Sequence, residues 1–250
     1  MIGRSRVEHL ISQPHGPDAI VTVVPVHNER ELLPRCLDSI TRAAELAPVP
    51  VTTIVVLDSC TDGSEEVVGD GARLVRVDHR NVGAARAAGF AASGLDEIGN
   101  VWFATTDADT TVPRTWFTDQ LAYWADHDAV VGTVRVAWSA HSARTRRRHD
   151  AAYARRRGTT HGHVHGANLG LRADVYRQVG GFRPLALAED VDLVDRLRAA
   201  GARIAWDEEN AVTTSDRRTP RARGGFGDHL AAIERAAGRD GHPSVLEDAS

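Results

Sequence analysis

The sequence predicts an α/β fold organised on a mostly parallel sheet, and three observations carry that prediction. Short apolar runs rich in valine and isoleucine alternate with stretches of helical periodicity. The early runs end in polar residues, as strands do at the C-terminal edge of an open α/β sheet, where ligands bind. The run Trp102-Phe103-Ala104-Thr105 leads directly to two carboxylates, Asp107 and Asp109, spaced one residue apart.

Residues 1–18 read as a flexible leader, broken by Pro14, Gly16 and Pro17. Residues 19–24 are a run of apolar and β-branched residues, the pattern of a strand buried on both faces, and lead into Pro25-Val26-His27-Asn28-Glu29. Leu32, Leu33, Cys36, Leu37 and Ile40 predict a helix over 30–46, stopped by Pro48 and Pro50. A second strand over 51–57 ends in Asp58-Ser59-Cys60-Thr61-Asp62-Gly63-Ser64, where Thr61 or Asp62 is placed to cap a helix. A third strand is expected at 73–77, an Ala-rich helix after Asn81-Val82-Gly83, and a fourth strand at 101–105. This order implies parallel strands joined by right-handed crossovers.

The second half is less regular. It reads as a helix at 116–124, a strand at 129–138, an Arg-rich helix at 144–157 and a strand at 167–171. A helix at 173–179 closes on Gly180-Gly181, and another starts at Glu189, burying Leu193, Val194, Leu197 and Ala200 before Gly201. Short strands are expected at 202–206 and 211–214, then a mobile Arg/Gly-rich loop at 217–227, a short helix and a fraying tail over 238–250.

Composition narrows the function. The net charge of −4 gives no global basic field for nucleic acid. All 30 basic residues are arginine, which excludes Schiff-base and P-loop lysine chemistry. Cys36 and Cys60 are too few for a disulfide framework and read as buried thiols. No secretory h-region opens the chain and no apolar run approaches a membrane span of ~20 residues, so a soluble cytoplasmic protein is expected. No Gly-x-Gly-x-x-Gly follows the first strand, which argues against a nicotinamide site.

The strand ends carry the candidate chemistry. Asp107 and Asp109 point the same way on an extended chain and suit a divalent cation bridging a diphosphate; the plainer reading is a pair of solvated turn acids. Asp58 could accept the imide N–H of uracil or the N1–H of guanine, or simply cap a turn. Glu29 suits a ribose hydroxyl or a helix N-terminal charge, and Arg86 a nucleotide or open solvent. His161, His163 and His165 alternate on one face; zinc ligation is the weaker reading, and a His-lined cleft running into Gly166-Ala167-Asn168 the stronger. Trp102, Trp116, Trp124 and Trp138 read as core.

Five motifs in order then resemble family 2 glycosyltransferases over roughly residues 19–232. They are Pro25-Val26-His27-Asn28-Glu29, Val55 to Ser64, Asn81 to Arg86, Asp107-Ala108-Asp109, and Gly180-Gly181-Phe182 with Glu189-Asp190. The resemblance implies a GT-A fold: a Rossmann-like sheet flanked by helices, with a smaller mixed acceptor-side sheet. It implies one domain over 19–237, divided into a nucleotide-binding half (19–112) and an acceptor half (113–237). It further implies inverting transfer of one sugar from a nucleotide-diphosphate donor, UDP-type favoured, to a hydroxyl acceptor, with Mn²⁺ or Mg²⁺. Pro25, His27, Glu29, Asp58, Arg86, Asp107, Arg217 and Arg218 would serve the donor, and Asp109 with Asp107 the metal. Glu189, His165 and Asn168 would meet the acceptor, and Asp190 would be the general base, kept ionised by the helix N-terminus. Arg217, Arg218, Arg221 and Arg223, among Gly224, Gly225 and Gly227, suit a loop closing on the diphosphate. His229 is a weak candidate for a late metal ligand, and the Arg-rich 144–157 stretch meets solvent, an anionic acceptor or a membrane surface. The Gln-x-x-Arg-Trp motif of processive synthases and their membrane helices are missing, which favours single-sugar transfer. A sugar-1-phosphate nucleotidyltransferase is the alternative enzyme, but the chain lacks its Gly-rich basic loop; a non-catalytic nucleotide-sugar-binding protein is the other alternative.

Overall fold

A computed structural model describes residues 16–95, 100–155, 160–219 and 225–239. Eight strands form one sheet: β1 (Ala19–Val26), β2 (Val51–Asp58), β3 (Arg73–Val77), β4 (Val101–Thr105), β5 (Thr110–Thr111), β6 (Ala129–Ala137), β7 (Leu169–Arg172) and β8 (Ile204–Ser215). Their order is β3-β2-β1-β4-β7-β6-β8-β5. The β2–β3, β1–β2, β1–β4 and β6–β8 pairs are parallel. The β4–β7, β6–β7 and β5–β8 pairs are antiparallel, so the strands expected to form a separate smaller mixed sheet instead continue the parallel half in a single sheet.

Seven helices are described: α1 (Leu33–Ala44), α2 (Val82–Ala92), α3 (Trp116–Leu121), α4 (Ala143–Arg155), α5 (Ala173–Gln178), α6 (Glu189–Ala199) and α7 (Phe226–Arg239). The alternation of side chains along each strand builds two cores. Ile20, Val24, Val55, Leu57, Trp102 and Ala104 pack with Leu33, Cys36 and Ile40 of α1 and Trp116 and Phe117 of α3. Val21, Val23, Ile54, Val56 and Phe103 pack on the other face with Phe90 of α2, Tyr176 of α5 and Leu193 and Leu197 of α6. The central strands are therefore apolar on both faces, with Thr22 and Thr105 as buried exceptions, which is why they stand out in the sequence. A Cβ at Gly89 would come within 2.6 Å of Val23, so a glycine lets α2 lie directly on the sheet.

Several expectations change. Residues 64–67 form a single 3-10 turn in place of a helix, because Val67, Val68, Gly69 and Gly71 are poor helix formers; Asp62 still accepts the Ser64 N–H at 2.9 Å. The two strands expected at 202–206 and 211–214 are one strand, β8, whose register against β6 jumps from Asp207 to Ala211. Asp207 folds the extra residues out by accepting the N–H groups of Glu209 and Asn210. Ala200 caps α6 and is exposed, outside the expected buried face. The last helix is 14 residues long and passes the expected tail boundary. The leader before residue 16, the tail after 239, and Arg221, Arg223 and Gly224 lie outside the described residues.

Candidate active site

The C-terminal edge of the parallel strands carries unusual backbone. Asn28 (φ 59°) follows β1, Ser59 (φ 54°) follows β2, Arg80 (φ 48°) follows β3, and Ala188 (φ 60°) precedes α6. Left-handed non-glycine residues are uncommon and concentrate at functional sites.

Two guanidinium groups stitch this edge together. Arg86, on α2, gives Nη2 to Asp107 Oδ1 at 2.7 Å and Nη1 to Glu189 Oε1 at the start of α6. Its side chain is 3% exposed, and a Cβ on Gly166 would lie 2.5 Å from its Nη2. Arg217, just past β8, gives Nη1 to Glu29 Oε2 at 2.6 Å and Nη2 to Asp109 Oδ2 at 2.8 Å. Asp190 sits beside Glu189, its Oδ2 accepting the Gly166 N–H at 2.7 Å and its Oδ1 the Val191 N–H at 2.8 Å. Glu29, Arg86, Asp107, Asp109, Glu189, Asp190 and Arg217 thus gather at one edge, drawn from five separate segments.

Burial pushes the Glu189 carboxyl above its usual range; Arg86 pulls it back and the Asp190 charge pushes it up again. Burial likewise raises Asp109, with Arg217 opposing and Asp107 adding to the rise. Asp109 Oδ1 takes the hydroxyls of Thr110 and Thr214 at 3.4 and 3.3 Å, and Oδ2 takes Ser215 Oγ at 3.2 Å besides Arg217. Those donors fill the roughly four lone-pair sites of a carboxylate. A divalent ion on Asp109 requires Arg217 to let go first, so the residues as arranged do not fit an ion at this acid. Among the described residues, no group of three or more His, Cys, Asp or Glu side chains is placed to hold a metal.

Other expected site residues stand elsewhere. Asp58 spends its carboxylate on the loop before α2. Burial would raise it, but the N–H groups of Asn81, Arg80 and His79, each at 2.8 Å, and the Ser59 hydroxyl hold it below the usual range. It therefore shapes the loop between β3 and α2. His27 donates Nδ1–H to the Asp58 carbonyl at 2.7 Å, and half-buried Pro25 lies within β1 opposite Val56. Arg86 pairs buried acids and does not face open space for a nucleotide. Asn168 is 1% exposed, and its amide is spent on Thr133 O, Asn210 O and Trp116 Nε1, so it is a core strut and does not reach an acceptor. Arg218 turns away to Ala140 O at 2.6 Å.

The three histidines do share a face. His161 and His163 rings are 6.1 Å apart and His163 and His165 rings 6.0 Å apart, all nearly parallel, with Tyr153 stacked on His163 at 3.6 Å. Zinc is not supported there: His161 and His163 donate Nε2–H to the carbonyls of Val131 and Tyr153, and stacked rings do not converge. His165 meets Tyr153 Oη at 3.2 Å and adjoins Gly166, the residue bonded to Asp190. His229 sits in a ring cluster with His149 and Phe226. Trp102, Trp116 and Trp124 are core, as expected, but Trp138 is half-buried and meets the rings of His141 and His149 edge-on. The sequence reading missed Thr214 and Ser215 on Asp109, and Asp216, which accepts N–H groups from Ser139, Ala140 and His141. The one signal for them was the polar run Thr213-Thr214-Ser215-Asp216 closing an apolar strand.

The α/β sheet, with paired acids after β4 at the C-terminal edge of its parallel strands, has the arrangement that the expected GT-A class calls for. The profile described as Glycosyl transferase family 2 matches residues 21–180, and the chain belongs to that family. Mannosyltransferase PcManGT from Pyrobaculum calidifontis, in complex with GDP-Man and Mn²⁺, superposes with a TM-score of 0.63 at 20% identity. The match covers 92% of this chain and 66% of the mannosyltransferase. TarS 1–349 from S. aureus, in complex with UDP-GlcNAc, gives 0.61 at 14% identity, over 89% of this chain and 66% of that one. Glucosyl-3-phosphoglycerate synthase from Mycobacterium tuberculosis, with Mn²⁺, UDP and phosphoglyceric acid, gives 0.59 at 21% identity, over 91% and 80%. At these identities the likeness establishes the fold, and the chain spans slightly under two thirds of the first two relatives' lengths. By direct sequence comparison, no curated protein matches it significantly. No helix of the described residues is long and apolar enough to cross a membrane.

Proposed function

We propose that this chain transfers a single sugar from a nucleotide-diphosphate sugar to a hydroxyl acceptor, with inversion, and that residues 19–237 form its one catalytic domain. The observation that carries the reading is the ion chain Asp190–Glu189–Arg86–Asp107. Asp190 and Glu189 are neighbours, and Arg86 ties Glu189 to the acid that ends β4. A half-buried carboxylate at a helix N-terminus is thereby held in fixed relation to the strand edge, where α/β sheets take nucleotides.

In this reading the acceptor hydroxyl gives its proton to Asp190 as its oxygen attacks the anomeric carbon. The bond from that carbon to the diphosphate oxygen breaks, and its electron pair leaves with the diphosphate. Attack from the opposite side inverts the centre. Glu189, committed to Arg86, positions the base, and His165 lies one residue from the Gly166 N–H that orients it. UDP- and GDP-type donors are supported by the GDP-Man, UDP-GlcNAc and UDP complexes of the neighbours.

A second reading adds Mn²⁺ or Mg²⁺ at Asp107 and Asp109, supported by the Mn²⁺ in two neighbours. The guanidinium on Asp109 stands against it. The transfer reading is tested by a donor panel followed through slow donor hydrolysis, with Asp190→Asn alongside. The variant should lose about 10²–10⁴-fold in turnover while donor affinity holds. Wild-type turnover in Asp190→Asn would remove Asp190 from the role.

A further inference from the structure

We infer that Arg217 is the resident cation of the diphosphate site, so that this chain takes its nucleotide diphosphate without a divalent metal. The inference rests on the nucleotide-sugar reading above and adds which group meets the charge of the leaving diphosphate.

Three features of the geometry support it. The first is occupancy. Arg217 bridges Glu29 at the end of β1 and Asp109 after β4, two carboxylates whose side chains are only 7% and 13% exposed. Nearly buried acids are costly unless a cation accompanies them, and an arginine is always charged. Asp109 has donors on both oxygens and offers an incoming ion no open position.

The second is reach. The Arg217 side chain is 26% exposed, against 3% for Arg86 in the neighbouring pair. Arg217 is thus the cation of this cluster that a ligand can touch. Its two ion pairs use two of the five guanidinium N–H groups, and the planar fork suits phosphate oxygens.

The third is preorganisation. The two residues before Arg217 are pinned on opposite sides: Ser215 Oγ bonds Asp109 at 3.2 Å, and Asp216 takes the N–H groups of Ser139, Ala140 and His141 within 3.0 Å. The guanidinium is therefore set in place before any ligand arrives, which is the condition for electrostatic stabilisation of developing charge.

The experiment is nucleotide binding by calorimetry, with UDP and GDP, each in EDTA and in Mn²⁺. Wild type should bind at least one of them with affinities within about twofold between the two conditions. Arg217→Ala should lose about 10- to 100-fold in EDTA, the worth of charged hydrogen bonds to phosphate. Arg217→Lys, which keeps a cation beside Glu29 and Asp109, should melt near wild type and keep most of the EDTA affinity, which separates lost charge from lost fold; a lysine variant that folds yet binds as weakly as Arg217→Ala overturns the inference. Paramagnetic resonance with Mn²⁺ alone should find no tight site in wild type and a new one in Arg217→Ala, where Asp109 is released. Wild-type binding that needs Mn²⁺ overturns this inference and leaves the transfer reading standing. Absence of nucleotide binding in both conditions overturns the two together.

Discussion

Removing the Arg86 guanidinium tests whether the edge is held by charge. In Arg86→Met the side-chain volume is largely kept, but Glu189, 10% exposed, loses the guanidinium paired with it, and Asp107, 39% exposed, loses its partner to water. Stranding one member of a buried pair costs about 3–5 kcal/mol. Asp107 contributes little because solvent screens it. In a chain of this size each kcal/mol moves the melting temperature by roughly 2–4 °C, so a fall of about 6–20 °C is expected. The pH dependence carries a sign. Burial already places Glu189 above the usual glutamate range against the pull of Arg86, and loss of Arg86 raises it further. A carboxyl with a raised folded-state pKa binds its proton more tightly when folded. Stability is then present at low pH and is lost as pH rises from the usual glutamate value through the folded one. The penalty should be smaller at about pH 5 than at about pH 8. The assay is urea unfolding followed by circular dichroism at both pH values, with Arg86→Met/Glu189→Gln as the partner variant. A loss under about 1 kcal/mol, an equal loss at both pH values, or no recovery on neutralising Glu189 would refute the reasoning.

Asp216 gives an acid-side counterpart. Burial opposes its ionisation, but N–H groups from Ser139, Ala140 and His141 overcome this and bring its pKa down to about 2. The stability it supplies, about 2 kcal/mol, is present above the usual aspartate range and lost as pH falls from about 4 towards 2; Asp216→Asn should flatten that part of an acid-unfolding curve. Gly170→Ala should be severe. Its Cβ would lie 2.1 Å from Gln120 Oε1 and 2.7 Å from Trp102 Nε1, which bond each other at 2.8 Å with neither side chain exposed. Overpacking with loss of that bond should cost about 2–5 kcal/mol, read as a lower urea midpoint at unchanged slope.

The strands 73–77 and 101–105 were legible to the residue, and the edge acids were legible as strand-end carboxylates. Buried parallel strands need apolar residues on both faces, and that local requirement is written in consecutive positions. The role of each polar residue at the edge was not local. A carboxylate after a strand can meet a ligand or the N–H groups of a neighbouring loop. Asp58 meets the loop because Arg80, at φ 48°, is part of a turn that brings three N–H groups onto it. Asn168 follows a histidine cleft in sequence but lies between β6, the β8 bulge and Trp116, where every amide bond is satisfied. Arg217 shows the division most plainly. Its residue type and its place after a polar strand end are in the sequence, but its partners Glu29 and Asp109 lie 188 and 108 positions away. Periodicity encodes which face a residue turns to the core. Which charge meets which depends on where the sheet order β3-β2-β1-β4-β7-β6-β8-β5 brings distant strand ends together, and only the folded chain decides that.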